Sequence, residues 1–190
     1  MQNRQRWLNK PIASAKLRNW LIERGSLTLR LKTQFKNFSV KPQRQLRAKC
    51  LIEDAQALYM STRVKVLIRE VTLNSQGNAL VYAHSVIPFK SLIGAWRGLG
   101  LLGNRSLGNA LFANPLVTRT SLTFKKLAAH HTLYQQAAKF QTNPPQFLWA
   151  RRSVFILKSI NIPQGAKILV TEVFLPFLLK SNHEEINRKN

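Results

Sequence analysis

The stretch RVKVLIREVTLNSQGNALVYAHSVIP, residues 63–88, consists of two β-rich runs separated by NSQGN. A short loop that contains glycine, placed between two such runs, predicts a β-hairpin. Side chains alternate between the two faces of a strand, and both faces of the first run are largely apolar, so we predict a central strand covered on both sides. One face carries Leu67, Arg69, Val71 and Leu73, and the other carries Val64, Val66, Ile68 and Glu70.

A second hairpin is predicted near the end of the chain, where RRSVFILKSI (151–160) and KILVTEVFLP (167–176) flank NIPQGA. Hairpins dominate the sequence, and its strands do not alternate with helices as they do in parallel sheets. The pattern therefore predicts an α+β fold with a single antiparallel β-sheet and helices packed on it.

The helices and strands outside the two hairpins have less regular sequence patterns. SLTLRLKTQF (26–35) fits either a helix capped by Ser26 or a strand, and its periodicity leaves both open. FSVKPQRQLRAKCLI (38–52) is predicted to be extended, with Pro42 marking an edge or a bend. Helices are predicted over 14–25, over 91–112 as short pieces broken by glycines, and over 123–141.

The length and amino-acid composition limit the classes of protein to which the chain can belong. We expect a single domain over residues 1–190, with a basic segment at about 1–13 and a polar tail at about 181–190. The formal net charge of +23 allows nucleic acid, an anionic membrane surface or a small anionic ligand as a partner. Cys50 is the only cysteine, and no apolar run suits a signal peptide or a transmembrane helix. We expect a cytoplasmic protein.

The sequence offers little for a metal ion or a nucleotide. His130 and His131 are adjacent, so on a helix their side chains would point about 100° apart, and no Cys/His spacing resembles a zinc site. The glycines of GLGLLGNRSLG (98–108) lack the strand–turn–helix context of a dinucleotide site. We therefore expect no metal and no cofactor.

Arg69 and Glu172 are the residues most in need of an explanation. Each lies at the centre of an apolar strand, where an unpaired charge is costly, and the chain has only seven acidic residues. They could neutralise each other, or pair with Arg63, Arg151, Arg152 or a backbone group. Alternatively, they could flank a ligand pocket, where Arg69 offers a fork to a carboxylate and Glu172 accepts a hydrogen bond or a proton. The residues alone leave both interpretations open.

Five stretches, taken in order, resemble the chorismate lyase (chorismate pyruvate-lyase) family. They span most of residues 20–176, and their order and spacing make the resemblance more specific than any single piece. The stretches are WLIERGSLTLRL, VLIREVTLNSQGNALVYAHSVIP, LGNRSLGNALF, LWARRSVFILKSI and ILVTEVFLP.

The resemblance implies a reaction and a set of site residues. In this family chorismate loses pyruvate, without a cofactor, to give 4-hydroxybenzoate, the first committed step toward ubiquinone. Matched by motif, the substrate-binding residues would be Leu27 in GSLT, Arg69 in REV, Leu107 in SLG and Glu172 in TEVFLP, with Arg69 and Glu172 also catalytic. Arg69 and backbone groups near the two leucines would hold the ring carboxylate, and Glu172 would face the ring hydroxyl. The family fold adds helical flaps over an internal pocket.

The chain also differs from the family pattern. His84 in AHSVIP stands where arginine is common, Ala150 in WARRS stands where glycine is common, and residues 120–146 form a longer stretch than usual. Arg151 or Arg152 is a candidate for the second carboxylate of chorismate, although surface positions are an equal alternative for both.

Two other interpretations stay open. The same fold resembles the effector-sensing domain of some bacterial transcription regulators, which would make this a non-catalytic domain that binds aromatic acids. A DNA-binding domain would be expected before such a domain, and only about twenty residues precede the matched region here, which counts against this interpretation. A basic nucleic-acid-binding protein is the other alternative, but no RRM, KH or zinc signature occurs. We expect no specific nucleic-acid partner, a monomer, and at most a peripheral contact with an anionic membrane.

Overall fold

The computed structural model describes residues 6–93, 96–97, 106–159 and 162–180. Within these ranges the chain forms one seven-stranded sheet and the six helices named below, and residues 177–180 are also helical. The strands are β1 (Ser39–Lys49), β2 (Lys65–Ser75), β3 (Asn78–Pro88), β4 (Val117–Arg119), β5 (Thr123–Ala128), β6 (Phe147–Ser159) and β7 (Ile162–Phe174). The helices are α1 (Ala15–Leu21), α2 (Leu27–Gln34), α3 (Ile52–Leu58), α4 (Phe89–Ile93), α5 (Leu107–Ala113) and α6 (Thr132–Ala138).

Every strand pairing in the sheet is antiparallel, and the strand order is β1-β2-β3-β7-β6-β4, with β5 also paired to β6. The predicted α+β class and both predicted hairpins are confirmed, although the second loop is shorter than the predicted NIPQGA, because residues 162–166 already belong to β7. The β2–β3 turn consists of Gln76 and Gly77, whose φ angles are 49° and 80°. Two consecutive positive φ angles give a two-residue turn whose twist matches the flanking strands.

Both faces of the central strands are covered, as the two-sided apolar pattern of β2 predicts. Val71 and Leu73 pack on one face against a cluster that includes Leu27 and Leu31 of α2. On the other face Val66 and Ile68 pack with Ala55 and Leu58 of α3; that cluster also includes Cys50, Val86, Val154 and Leu169. Val64, assigned to the strand from sequence, lies just before it and is exposed.

Residues 26–35, which the sequence left open between helix and strand, contain helix α2. Ser26 occupies the N-cap position, and its hydroxyl accepts a hydrogen bond from the Leu29 amide at 3.2 Å. This bond satisfies one of the amides that a helix leaves without an internal acceptor. The strand from Ser39 also agrees with the prediction, and its register shifts between Pro42 and Arg44 at the sheet edge.

Two sequence predictions were wrong. Residues 123–141 were predicted as one helix, but Thr123–Ala128 form strand β5, which pairs with β6, and only Thr132–Ala138 are helical. The extended prediction for 38–52 ended too late, because helix α3 begins at Ile52. In the first case the hydrogen bonds offered by β6 outweigh local helix propensity.

Helices α1 to α6 are five to eight residues long. Among the described residues, no helix is long and apolar enough to cross a membrane. The predicted polar tail at 181–190 and most of the glycine-rich run at 98–108 lie outside the described residues.

A buried charge cluster lies on the α3 face of the sheet. His84 Nδ1 lies 3.2 Å from Glu70 Oε1, and its Nε2 lies 3.3 Å from Asp54 Oδ2. Glu70 also accepts two hydrogen bonds from Arg44, at 2.8 and 3.0 Å. Burial alone would lower the pKa of His84, but the hydrogen bonds to Asp54 and Glu70 outweigh it and raise that pKa to about 9. The cluster therefore joins α3, β2 and β3 through a charged imidazolium.

We predict that this histidine makes stability depend on pH. Because its folded pKa lies above the ordinary value of 6.5, its contribution is complete below about pH 6.5 and disappears as pH rises through about 9. His84→Gln should lower the free energy of unfolding at pH 6 by on the order of 3 kcal/mol. The gap between wild type and variant should narrow by pH 9 in denaturant titrations.

The matched control is His130→Gln, which removes an exposed histidine. It should leave the pH profile unchanged. A constant gap between wild type and His84→Gln from pH 6 to 9 would contradict a charged His84.

Candidate functional site

A cavity lies between the sheet and helices α2 and α5, with about 550 Å³ of space between atoms, its open mouth included. All four residues predicted to contact a ligand, Leu27, Arg69, Leu107 and Glu172, line it. The rest of the lining is Thr28, Val40, Val71, Leu73, Ala83, Ser85, Ser106, Gly108, Leu111, Phe112, Arg119, Arg151, Phe155 and Val170.

Strand alternation and small side chains on β3 create this space. Arg69 on β2 pairs with Ser85 on β3, and Ala83 on β3 pairs with Glu172 on β7. Strand β3 lies between the two charged residues, and its residues at these positions, Ser85 and Ala83, have small side chains that leave space above the sheet. Arg69 and Glu172 therefore reach into the same cavity from strands that are two positions apart, about 10 Å at ordinary strand spacing.

The N-terminal ends of α2 and α5 meet over the cavity, and Leu27 and Leu107 are the first residues of these helices. Ser106 donates a hydrogen bond to Thr28 Oγ1 at 2.9 Å, and Ser26 donates one to Asn109 Oδ1 at 3.2 Å. These bonds fix one helix against the other. Both predicted leucines thus lie where first-turn amides have no acceptor inside their own helix.

Glu172 forms an ion pair with Arg151 on the neighbouring strand β6, at 2.5 Å between Oε2 and Nε. Arg151 is only 1% exposed, and its Nη1 also donates to the carbonyl oxygens of Trp20, Leu21 and Glu23. The Glu172 side chain retains 14% exposure. Glu172 therefore both forms an ion pair with Arg151 and lines the cavity.

Arg69 is 3% exposed, and its burial lowers the pKa of its guanidinium. Desolvation of this kind weakens the competition of water for the charge, so an anion in the cavity would interact with it strongly.

Arg119 lines the same cavity, and the sequence analysis missed it. It ends the three-residue strand β4, and pairing with Phe155 of β6 brings it to the cavity. No local sequence signal marks this position, because the pairing of β4 with β6 is a long-range contact. Arg152, a sequence candidate for the second carboxylate, instead donates to the Glu53 carbonyl oxygen and packs 4.0 Å from the Trp7 ring.

Neither His84 nor the adjacent pair His130 and His131 lines the described cavity. His84 points into the charge cluster on the α3 face, and His131 caps helix α6 by accepting from the Leu133 amide. Within the described ranges, no group of three or more His, Cys, Asp or Glu side chains is arranged to hold a metal ion.

The fold is of the single-sheet α+β class, with a cavity between the sheet and helices α2 and α5. The sequence profile of the family described as Chorismate lyase matches residues 1–183. The chain therefore belongs to the chorismate lyase family, which confirms the resemblance found in the sequence.

Curated relatives agree with this assignment. The chain is 45% identical over 171 residues to a protein of Nitrosomonas europaea named probable chorismate pyruvate-lyase, covering 90% of this chain and 93% of the relative. It is 44% identical over 178 residues to a protein of the same name from Methylobacillus flagellatus, covering 93% of this chain and 96% of the relative.

Solved structures share the fold at low sequence identity. PhnF from Mycobacterium smegmatis superposes with a TM-score of 0.58 and 16% identity, over 82% of this chain and 66% of PhnF. A GntR-family transcriptional regulator from Bacillus cereus gives a TM-score of 0.55 and 16% identity, over 75% of this chain and 94% of the regulator. These similarities establish the architecture and carry no functional conclusion.

Proposed function

We propose that the protein is a chorismate pyruvate-lyase that converts chorismate to 4-hydroxybenzoate and pyruvate without a cofactor. This reaction would be the first committed step toward ubiquinone. The observation that carries the proposal is the convergence of Arg69 and Glu172 on one cavity. Family membership supplies the reaction class, and the cavity supplies a place for it.

The reaction suits a site that binds and orients chorismate and needs little chemical activation of it. Chorismate is a dianion with an enolpyruvyl ether next to a ring carbon that bears a hydroxyl and a hydrogen. Loss of that hydrogen as a proton and cleavage of the ether carbon–oxygen bond form the aromatic ring, and protonation of the released enolpyruvate gives pyruvate. Aromatisation makes the reaction strongly downhill, so orientation, shielding from water and electrostatic stabilisation are the main tasks of the protein.

Arg69 would bind the ring carboxylate, together with backbone amides near Leu27 and Leu107. Glu172 would accept a hydrogen bond from the ring hydroxyl and assist removal of the neighbouring proton. Its ion pair with Arg151 would keep the carboxylate oriented, because Arg151 is itself fixed by three backbone carbonyl groups.

The assay of this proposal uses purified protein and chorismate, without metal or nucleotide. Wild type should release 4-hydroxybenzoate and pyruvate in equal amounts. Glu172→Gln should keep the fold, because the amide oxygen can still accept from Arg151 Nε, and should lose most turnover. Near-normal turnover by this variant would remove the catalytic role of Glu172.

Binding without any conversion by the wild type would instead favour a non-catalytic domain for aromatic acids. Tight binding of plain nucleic acid at physiological salt, again without conversion, would favour the nucleic-acid alternative.

A second prediction concerns Arg69. Arg69→Ala should weaken binding of 4-hydroxybenzoate by more than about 1.5 kcal/mol, the scale of a charged hydrogen bond lost in a shielded site. Isothermal titration calorimetry measures this directly, with the exposed Arg63→Ala as the matched control. A dissociation constant that equals that of wild type would refute the carboxylate clamp.

Cytoplasmic location, the monomeric state and a peripheral contact with anionic membrane stay predictions. The large positive charge supports one further role, attraction of a dianionic substrate toward the pocket.

A further inference from the structure

The proposed substrate carries a second carboxylate, on its enolpyruvyl group, which Arg69 does not account for. We propose that Arg119 binds this second carboxylate and so selects dicarboxylate ligands over monocarboxylates. The inference rests on the proposed function for the identity of the ligand, and on the cavity geometry for the choice of residue.

Arg119 is held firmly but by neutral partners. Its Nε donates to Ser153 Oγ at 2.7 Å, and its Nη1 donates to the Arg24 carbonyl oxygen at 3.0 Å. The guanidinium carbon lies 5.2 Å from the Phe155 ring centre and 5.4 Å from that of Phe112. Among the described residues, Arg119 forms no ion pair with a carboxylate. Its charge is thus oriented and left available to a ligand.

The charges that line the cavity suit a dianion. Three arginines, Arg69, Arg119 and Arg151, face one carboxylate, Glu172, so the lining has a surplus of two positive charges. Arg151 and Glu172 pair with each other across neighbouring strands. Arg119, on β4, lies outside that pair, and the positive lining suits an anionic ligand.

The other arginine candidates for this role are occupied elsewhere. Arg152 lies over the Trp7 ring and bonds the Glu53 carbonyl oxygen, away from the cavity. Arg151 uses Nε for Glu172 and Nη1 for three backbone carbonyl groups. Arg119 also lines the cavity. In the described part of the chain its guanidinium donates to a hydroxyl and to a carbonyl oxygen, and not to a carboxylate.

The electrostatic state of Arg119 agrees with an anion site. Burial lowers the pKa of its guanidinium to about 10, with Glu172 opposing this decrease and Arg151 adding to it. The side chain remains cationic at neutral pH, but its charge is poorly solvated. A bound carboxylate would replace the lost hydration and stabilise the charged form.

A merely structural role is the alternative, because the bond to Arg24 fixes the segment between α1 and α2. The test therefore compares 4-hydroxybenzoate with 3-(1-carboxyvinyloxy)-4-hydroxybenzoate, an unreactive aromatic analogue that keeps the hydroxyl and adds the enolpyruvyl carboxylate on the neighbouring ring carbon, as in chorismate. Calorimetry gives both dissociation constants for wild type, Arg119→Gln, Arg119→Lys and the exposed control Arg63→Gln.

We expect Arg119→Gln to weaken binding of the dicarboxylate at least tenfold and binding of 4-hydroxybenzoate less than twofold. Arg119→Lys should recover part of the dicarboxylate affinity, since it keeps the charge but lacks the fork. Equal losses for both ligands, or no loss for the dicarboxylate, would overturn the inference. Thermal unfolding of each variant identifies any loss of folded protein.

The outcome for Arg119 is separable from the outcome for the lyase activity. If wild type converts chorismate and Arg119→Gln leaves KM unchanged, the subsite is wrong and the function stands. If wild type binds the dicarboxylate through Arg119 but converts no chorismate, the subsite stands and the proposed reaction fails.

Discussion

Compensation of the buried charge on Arg151 is the constraint on which the site depends. An arginine that is 1% exposed needs partners for its charge and its donors. Arg151 finds them in Glu172 and in three carbonyl groups of the segment 20–23, at the end of α1 and just after it. The same contacts orient Glu172 in the cavity and draw that segment toward the sheet. Because α2 follows this segment directly, one arginine links the floor of the pocket to its cover.

The sheet separates two groups of charges that neighbouring residues supply. Arg69 and Ser85 line the cavity. Glu70, which follows Arg69, and His84, which precedes Ser85, face the opposite side of the sheet. On that side the charges neutralise one another and join α3 to the sheet. On the cavity side positive charge is in excess. Strand alternation alone thus places neighbouring charged residues either in the charge cluster or at the cavity.

Local patterns in the sequence were sufficient for part of this account. Alternation placed Arg69 and Glu172 on inward faces, and turn chemistry identified both hairpins. Helix α3 was missed because seven residues are too few to display helical periodicity, and β5 was missed because its conformation depends on pairing with β6. Arg119 was missed for the same reason: only the β4–β6 pairing brings it beside the pocket.

The central claim is that Arg69 and Glu172 hold opposite ends of one aromatic acid. A crystal structure of the protein with 4-hydroxybenzoate tests it most directly. The account predicts the ligand in the described cavity, with its carboxylate at Arg69 and its hydroxyl within hydrogen-bond distance of Glu172. A ligand bound in the reverse orientation, or bound elsewhere with this cavity empty, would contradict it.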